Sequence, residues 1–260
     1  MNKLTRIIFT GTGSGKTSLN RFHSSFIIDN TNYKLLVDAG DSVSRALIKS
    51  EIDINGINGI IITHFHPDHI CGLPSLLLQM KMLKRVNPLK IFIHSSLETD
   101  LKKLLISTYV IPDRLNFELQ VICYNFEKEN EIEVDNNFTI EAFENSHLSK
   151  YEYFAKSEKI SLTSASLLFR VGGKTVFYSG DIGDGKDFDF LDGSKIDVFI
   201  SEVTHISPEV IVKTAEEQKS DIVVFTHINE EIEEELTLYV QNHQGKPALL
   251  EAFDGIELVL

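Results

Sequence analysis

The sequence is poor in the features that would assign it to several large classes of protein. It has two cysteines, Cys71 and Cys123, among 260 residues, so we expect no disulfide framework and a cytoplasmic location. No apolar run approaches the length of a membrane span, and the apolar stretch after the basic N-terminus is too short for a secretion signal. The six prolines are scattered and mark no linker, so we predict one domain over residues 1–260.

Positive charge is also scarce. The chain has 25 Lys and Arg residues against 38 Asp and Glu residues, which gives a formal net charge of −13. A surface this acidic repels polyanions at long range, so we expect a small-molecule substrate rather than long nucleic acid. The densest acidic run, at 229–235, is interpreted as the solvated start of a helix.

Short apolar runs alternate with turns and amphipathic stretches along most of the chain. Helices are predicted at 42–49 and at 73–84, where Pro74 lies in the first turn. Early hairpins, helices between some strands and several buried strands favour an α/β fold of two sheets packed face to face with helices outside. Strands are predicted at 7–9, 24–29, 33–38, 59–63, 91–94, 138–143, 166–171, 175–179, 198–201 and 222–226.

The glycine-rich stretch from Gly11 to Thr17 has the composition of a nucleotide-binding loop but not its spacing. That motif needs a glycine five residues before the Gly15-Lys16 pair, and the position is Thr10. No apolar periodicity of a following helix is present. We therefore interpret the stretch as a turn whose backbone closely approaches a neighbouring site.

The strongest chemical signal is the run Thr63-His-Phe-His-Pro-Asp-His69, which follows a fully apolar strand. His64 and His66 are two residues apart, so their imidazoles leave the strand on the same face. Pro67 then turns the chain, and Asp68 and His69 can point back to the same space. Without a metal, such a buried cluster would repel when charged and lack partners when neutral. The run therefore predicts a divalent metal site.

Further ligands must come from distant parts of the chain. His147, Asp181 and His227 each follow a predicted strand, and Gly180 lets the chain tighten before Asp181. Open α/β folds gather their sites at strand ends. The three residues are therefore candidate ligands.

These residues resemble the metallo-β-lactamase superfamily, whose signature is His-x-His-x-Asp-His followed by separated His, Asp and His. The resemblance runs from about residue 7 to 228 and implies an αββα sandwich of two mixed sheets with helices on the outer faces. It implies that His64, His66 and His147 hold one metal, that Asp68, His69 and His227 hold a second, and that Asp181 bridges both. Asp38, in Leu36-Val-Asp-Ala-Gly40, would orient a ligand.

Within the superfamily, the chain is most similar to the ribonuclease Z-like phosphodiesterases. Phe9-Thr-Gly-Thr-Gly13, Arg21-Phe-His-Ser-Ser25 and Ser201-Glu-Val-Thr204 carry that likeness. Bacterial tRNA-processing members have a long arm between the third histidine and the bridging aspartate, whereas only 33 residues separate His147 from Asp181 here. The resemblance therefore implies a phosphodiesterase without the tRNA-binding arm, and a possible homodimer.

The implied mechanism is hydrolysis of a small or cyclic phosphodiester by a metal-activated hydroxide. Asp68 would accept the proton of the water, and Glu202 with His205 would protonate the leaving group. Two zinc ions are expected, with manganese as an alternative. Iron redox chemistry is disfavoured because oxygen-reducing relatives have a carboxylate where this chain has Phe65.

Three alternatives stay open on the sequence alone. The same ligands would serve a hydrolase of lactones, thioesters or carboxylic esters, whose apolar pocket would come from the segment Tyr151-Glu-Tyr-Phe154. A site that binds a phosphate group would instead use Lys16, Arg21 and the backbone of the glycine turn. A tRNA 3′-processing endonuclease and a non-catalytic metal-binding protein are the other two possibilities.

Overall fold

The structure, a computed structural model, describes residues 4–126 and 131–260 of the chain. It contains two compact units. The first comprises the described residues up to Asn125 together with Phe253–Leu260, and the second runs from Phe126 to Ala252. Of the N-terminus considered as a secretion signal, residues 1–3 lie outside the described residues. No helix within the described ranges is long and apolar enough to cross a bilayer.

Fourteen strands and seven α-helices form in the described residues. The strands are β1 (Arg6–Gly11), β2 (Ser25–Asn30), β3 (Tyr33–Val37), β4 (Gly59–Ile61), β5 (Leu89–His94), β6 (Leu119–Tyr124), β7 (Ile132–Asp135), β8 (Phe138–Glu144), β9 (Ala165–Val171), β10 (Lys174–Tyr178), β11 (Val198–Glu202), β12 (Ile222–Thr226), β13 (Ala248–Glu251) and β14 (Glu257–Val259). The helices are α1 (Val43–Lys49), α2 (Pro67–Ile70), α3 (Leu73–Met82), α4 (Glu98–Ser107), α5 (Glu152–Glu158), α6 (Pro208–Glu217) and α7 (Glu233–Asn242).

Each predicted strand falls on an observed one, from β1 to β5 and from β8 to β12, and the two predicted helices are α1 and α3. Four strands were not predicted. Three of these have only three or four residues, too few for a clear pattern, and β6 has three consecutive exposed residues. The acidic run at 229–235 reaches into α7, which begins only at Glu233.

The first unit contains a mixed sheet in the strand order β14-β1-β2-β3-β4-β5-β6. The strands from β14 to β3 pair antiparallel, and those from β3 to β6 pair parallel. Because β3 and β4 are parallel neighbours with Val37 opposite Ile61, the segments that follow them emerge side by side. The first of these segments begins with Asp38 and the second leads into His64.

The second unit contains a mixed sheet in the order β13-β12-β11-β10-β9-β8-β7. Its strands pair antiparallel from β7 to β10 and parallel from β10 to β13. The carboxyl ends of β10, β11 and β12 therefore meet at one sheet edge, where ligands of open α/β sheets gather. Asp181, Glu202 and His227 lie at these three strand ends.

Helices cover one face of the sheet in each unit. In the first unit, apolar residues of α1, α3 and α4 pack on alternate strand residues such as Leu36 and Ile60. In the second, α6 and α7 pack on Phe199 and Phe225. Burying each such side chain stabilises the unit by about 1.5–3 kcal/mol. Strand ends anchored in this way can hold buried polar residues in fixed positions.

Candidate metal centre

The histidine cluster of the first unit occupies the turn between β4 and α2. His64 and His69 are fully buried, and Asp68 is 7% exposed. The rings of His64 and His66 lie 4.8 Å apart, and those of His64 and His69 lie 4.1 Å apart. Pro67 is at the first position of α2, where its missing N–H costs nothing, so the helix places Asp68 and His69 directly beside the turn.

Asp38 holds this turn together from the end of β3. Its carboxylate accepts hydrogen bonds from the backbone N–H of Thr63 at 2.9 Å and from the Thr63 hydroxyl at 3.0 Å. Its Oδ2 also lies 2.8 Å from Nδ1 of His69. A carboxylate on the second ring nitrogen is the usual means of orienting a metal-binding histidine. This is the role that the resemblance implies for Asp38.

Two glycines allow the backbone to approach the cluster closely. A Cβ atom on Gly40 would lie 2.1 Å from the carbonyl oxygen of Asp68, and one on Gly15 would lie 3.2 Å from Asp68 Oδ2. Gly15 belongs to the glycine-rich stretch at 11–17. The expectation that the backbone of this stretch closely approaches a neighbouring site is therefore confirmed. Arg21 is only 4% exposed and donates to the Thr12 hydroxyl at 2.7 Å, so it stabilises the turn itself.

The second unit brings together the other three candidate ligands. His147, Asp181 and His227 are each at most 3% exposed. Oδ2 of Asp181 lies 3.6 Å from Nε2 of His147 and 3.4 Å from Nε2 of His227. Asp181 is therefore shared by two histidines, as a bridging ligand would be.

The donor separations fit a metal ion better than they fit hydrogen bonds. In the first unit, Nε2 of His69 lies 3.5 Å from Oδ2 of Asp68, and the ligand atoms of His64 and His66 lie within 4.8 Å of each other. Two ligands at ~2.1 Å from one tetrahedral ion are ~3.4 Å apart, whereas hydrogen bonds to nitrogen are ~2.7–3.2 Å long. Buried imidazoles and carboxylates are also the donor set of zinc sites.

Left-handed backbone recurs where these strands end. Asp38 and His227 have φ angles of 58° and 55°, and Gly180 before Asp181 has 57°. Residues other than glycine rarely adopt this conformation, which costs about 1–3 kcal/mol and often marks functional positions. At His227 the turn is held by Thr204, whose hydroxyl donates to the His227 carbonyl at 2.7 Å and lies 3.1 Å from its Nδ1.

Glu202 and His205 form a pair beside the ligands of the second unit. Glu202 is fully buried and accepts hydrogen bonds from the backbone N–H groups of Thr204 and His205 at 2.6 and 2.9 Å. Its Oε1 lies 3.0 Å from Nδ1 of His205, and this hydrogen bond raises the pKa of His205 against the opposing effect of burial. The His205 ring is 4.9 Å from that of His147. Glu202 is therefore a buried residue that positions His205, not part of a solvated loop.

The candidate ligands were all predicted from the sequence. Two threonines that contact and orient them were not. Thr63 bridges Asp38 and His64, whose Nδ1 lies 3.0 Å from its hydroxyl. Thr204 holds His227 from a segment 23 residues away. The only sequence signal for Thr204 was its place in the motif Ser201-Glu-Val-Thr204.

Comparison with known proteins gives a family and several relatives. The family described as Anti-Pycsar protein Apyc1 matches residues 5–244. Ribonuclease Z of Clostridium novyi is 31% identical over 145 residues, which are 54% of this chain and 47% of that protein. Ribonuclease Z of Methanococcus aeolicus is 26% identical over 284 residues, covering 90% of this chain and 87% of the relative. The chain thus spans about half the length of the first of these relatives.

Solved structures show the same fold at low sequence identity. The metallo-β-lactamase fold protein YhfI from Bacillus subtilis matches 99% of this chain and 100% of its own, with a TM-score of 0.75 and 18% identity. A diphosphatase of the PhnP family matches 98% and 97%, with a TM-score of 0.70 and 18% identity. Zn²⁺-bound PqqB from Methylobacterium extorquens matches 98% and 100%, with a TM-score of 0.69 and 13% identity. The predicted metallo-β-lactamase fold is confirmed.

Proposed function

The chain belongs to the Anti-Pycsar protein Apyc1 family, and on that premise we propose that it is a metal-dependent phosphodiesterase acting on a small or cyclic phosphodiester. Its relatives and fold make it a ribonuclease Z-like hydrolase of the metallo-β-lactamase group. The observation that carries the finer proposal is the buried Glu202, which holds His205 beside the metal-ligand candidate His147.

We assign the metal ligands as the resemblance implies them. His64, His66 and His147 would hold one ion, Asp68, His69 and His227 would hold the second, and Asp181 would serve as a ligand of both. The all-nitrogen-and-oxygen donor set supports zinc, with manganese as the alternative. Once bound, two such ions supply a strongly acidified water and stabilise the negative charge that develops on the substrate.

The protein's own residues then carry the two proton transfers. Asp68 would accept the proton of the attacking water through one of its carboxylate oxygens. His205 donates a proton to the leaving oxygen, and Glu202 keeps its ring oriented and favours its protonated form. An alkoxide is a poor leaving group, so a proton donor held in this position suits the cleavage of a phosphodiester of a sugar or an alcohol.

The segment between His147 and Asp181 supports a small substrate. It contains α5 and the hairpin of β9 and β10, which leaves little chain for a long RNA-gripping arm. Tyr153 and Phe154 are 88% and 49% exposed, so they do not form the apolar pocket expected of an ester hydrolase. The ribonuclease Z relatives keep tRNA 3′-processing as the second candidate function. The homodimer and the cytoplasmic location stay predictions.

The test is an activity panel with zinc- and manganese-loaded protein. It should compare bis-p-nitrophenyl phosphate, cyclic nucleotides, short RNA, a tRNA precursor, lactones and thioesters. We expect turnover of the diesters, abolished in Asp68→Ala and retained in Asp113→Ala, which removes an exposed carboxylate from the same unit. Turnover of lactones or thioesters alone would overturn the proposal, and preferential cleavage of the tRNA precursor would favour the second candidate.

The proton donor has its own test, based on the leaving group. His205→Gln should lower kcat about 10²–10⁴-fold for a cyclic nucleotide, whose leaving group is an alkoxide. The loss should be much smaller for bis-p-nitrophenyl phosphate, because p-nitrophenolate leaves without a proton. His243→Gln, at a half-buried histidine of the same unit that lies 3.0 Å from the Pro247 carbonyl, is the matched control. Equal losses for both substrates would show that His205 is not the acid.

A further inference from the structure

Two candidate ligands of the second unit, His147 and Asp181, come from strands that are not paired with each other. His147 follows β8 and Asp181 follows β10, and β9 lies between these strands in the sheet. Because β9 pairs antiparallel with both, β8 and β10 run in the same direction and end at the same sheet edge. The separation of the two ligands must therefore be set by contacts between the segments that follow the strands.

The first such contact is the carboxylate of Asp187, which joins both segments. Its Oδ1 accepts a hydrogen bond from the backbone N–H of Ser146 at 3.0 Å. Its Oδ2 accepts from the Ser146 hydroxyl at 3.0 Å and from the backbone N–H of Gly183 at 2.7 Å. Ser146 directly precedes His147, and Gly183 lies two residues after Asp181. Hydrogen bonds to a carboxylate are roughly twice as strong as those between neutral groups.

The turn that carries Asp187 is itself anchored in the core. Asp187 lies in the single 3₁₀ turn Gly185–Phe188. Phe188 is 4% exposed, and its ring lies 5.5 Å from that of Phe199 and 6.1 Å from that of Phe177. A carboxylate next to a buried ring has a fixed position, so it can determine where its three donors lie.

The second contact is the amide of Asn145, a buried residue two positions before His147. Its Oδ1 accepts from the backbone N–H of His147 at 3.3 Å, and its Nδ2 donates to the Ser179 carbonyl at 3.4 Å. Nδ2 also donates to the hydroxyl of Ser166, which in turn donates to the Ser179 carbonyl at 2.7 Å. Ser179 lies two residues before Asp181, so the two contacts hold the chain on both sides of this ligand.

The two segments also touch where Asp187 joins them. A Cβ atom on Gly183 would lie 2.2 Å from the Ser146 hydroxyl oxygen and 3.0 Å from the Ser146 carbonyl carbon and oxygen. The backbone of one segment therefore lies directly against the other, and only glycine fits at position 183. The hydrogen bonds of Asp187 close a contact that has no spare room.

We propose that Asp187 and Asn145 are positioning residues, which hold His147 and Asp181 at the separation that one metal ion requires. Oδ2 of Asp181 lies 3.6 Å from Nε2 of His147, close to the ~3.4 Å between two ligands of a tetrahedral ion. Asp187 and Asn145 act through the backbone beside each ligand and are not ligands themselves. This inference rests on the metal centre of the proposed function but not on its substrate.

The first experiment measures zinc affinity by competition with a chromogenic chelator. Asp187→Ala should lower the affinity about 10–100-fold, as the loss of a residue that orients a ligand does. Asp187→Asn keeps one acceptor oxygen and should lose less. Asp189→Ala removes an exposed carboxylate just after the same turn and should stay within twofold of wild type. Equal affinities of Asp187→Ala and Asp189→Ala would overturn the proposal.

Asn145→Ala tests the second contact in the same assay, and it should also lower zinc affinity about 10–100-fold. Because Asn145 is buried, urea unfolding in a chelator must first show that the metal-free variant is folded. A folded Asn145→Ala protein with the zinc affinity of wild type would remove Asn145 from the proposal.

The second experiment separates positioning from a general loss of structure. On a His147→Ala background, Asp187→Ala should lose most of its effect on zinc affinity, because the ligand through which it acts is gone. On a His69→Ala background, where the missing ligand lies in the other unit, Asp187→Ala should keep its 10–100-fold effect. Equal effects on the two backgrounds would show that Asp187 does not act through His147.

A third measurement uses the metal-free protein. In ¹H–¹³C NMR spectra, the Cε1–H signal of His147 should shift in Asp187→Ala, whereas the signal of His243 should not. An unshifted His147 signal would overturn the proposal. If zinc affinity falls in Asp187→Ala but the wild type hydrolyses no diester, the proposed function fails and the positioning role stands.

Discussion

Gly40→Ala should damage the candidate metal centre without touching a ligand. The segment that contains Gly40 packs backbone to backbone against α2, because Ala39 donates to the His69 carbonyl at 2.8 Å and Gly72 donates to the Ala39 carbonyl at 2.9 Å. A Cβ atom on Gly40 would lie 2.1 Å from the Asp68 carbonyl oxygen and 2.7 Å from Cβ of His23. Neither neighbour is the movable end of a long side chain.

The size of the effect follows from these distances. Non-bonded heavy atoms settle at ~3.5 Å, so α2 or the segment at Gly40 must move by roughly 1 Å or more. Overpacking of this kind lowers the free energy of unfolding by about 1–3 kcal/mol. The movement displaces Asp68 and His69, and an error of ~1 Å in a catalytic arrangement costs about 10²-fold in activity.

The assay compares wild type, Gly40→Ala and Gly185→Ala. In the control, the new Cβ would meet only side-chain atoms, Cγ1 of Val210 at 3.3 Å and Cδ1 of Ile206 at 3.8 Å, in a backbone conformation that alanine tolerates. Urea unfolding in a chelator measures the stability of the metal-free protein, and competition with a chromogenic chelator measures zinc affinity. Zinc affinity and diester turnover within twofold of wild type in Gly40→Ala would refute the reasoning.

Three further changes test other parts of the structure. Asp38→Ala should lower zinc affinity about 10–100-fold in the same chelator competition, because His69 loses the carboxylate that orients it; unchanged affinity would deny Asp38 that role. Gly15→Ala should lower diester turnover less than Gly40→Ala does, because its Cβ would meet a movable carboxylate oxygen at 3.2 Å; a larger loss would contradict this ranking. Phe199→Ala should lower the free energy of unfolding in urea by about 3–5 kcal/mol, since the buried ring packs on two other phenylalanines; a loss below ~1 kcal/mol would show that the core collapses around the gap.

The sequence predicts where the candidate ligands lie because the segments that carry them follow apolar strands. An apolar run that ends in His64, Asp181 or His227 marks both the strand and the sheet edge where its polar residue emerges. The orienting contacts are different. Thr204 reaches His227 because β11 and β12 are parallel neighbours, and that pairing depends on the whole sheet. Glu202, the last residue of β11, is buried for the same reason.

The left-handed turns at Asp38 and His227 place backbone strain at two residues of the candidate metal centre. Glycine adopts such φ angles without a steric penalty, so it would relieve about 1–2 kcal/mol at either position. It would also remove a carboxylate that orients His69 or an imidazole that faces Asp181. At Asp38, glycine would also leave the buried N–H of Thr63 without its acceptor, a loss of about 1–3 kcal/mol that offsets the relief of strain. The strained turns therefore place a carboxylate and an imidazole at two strand ends, where glycine could provide neither.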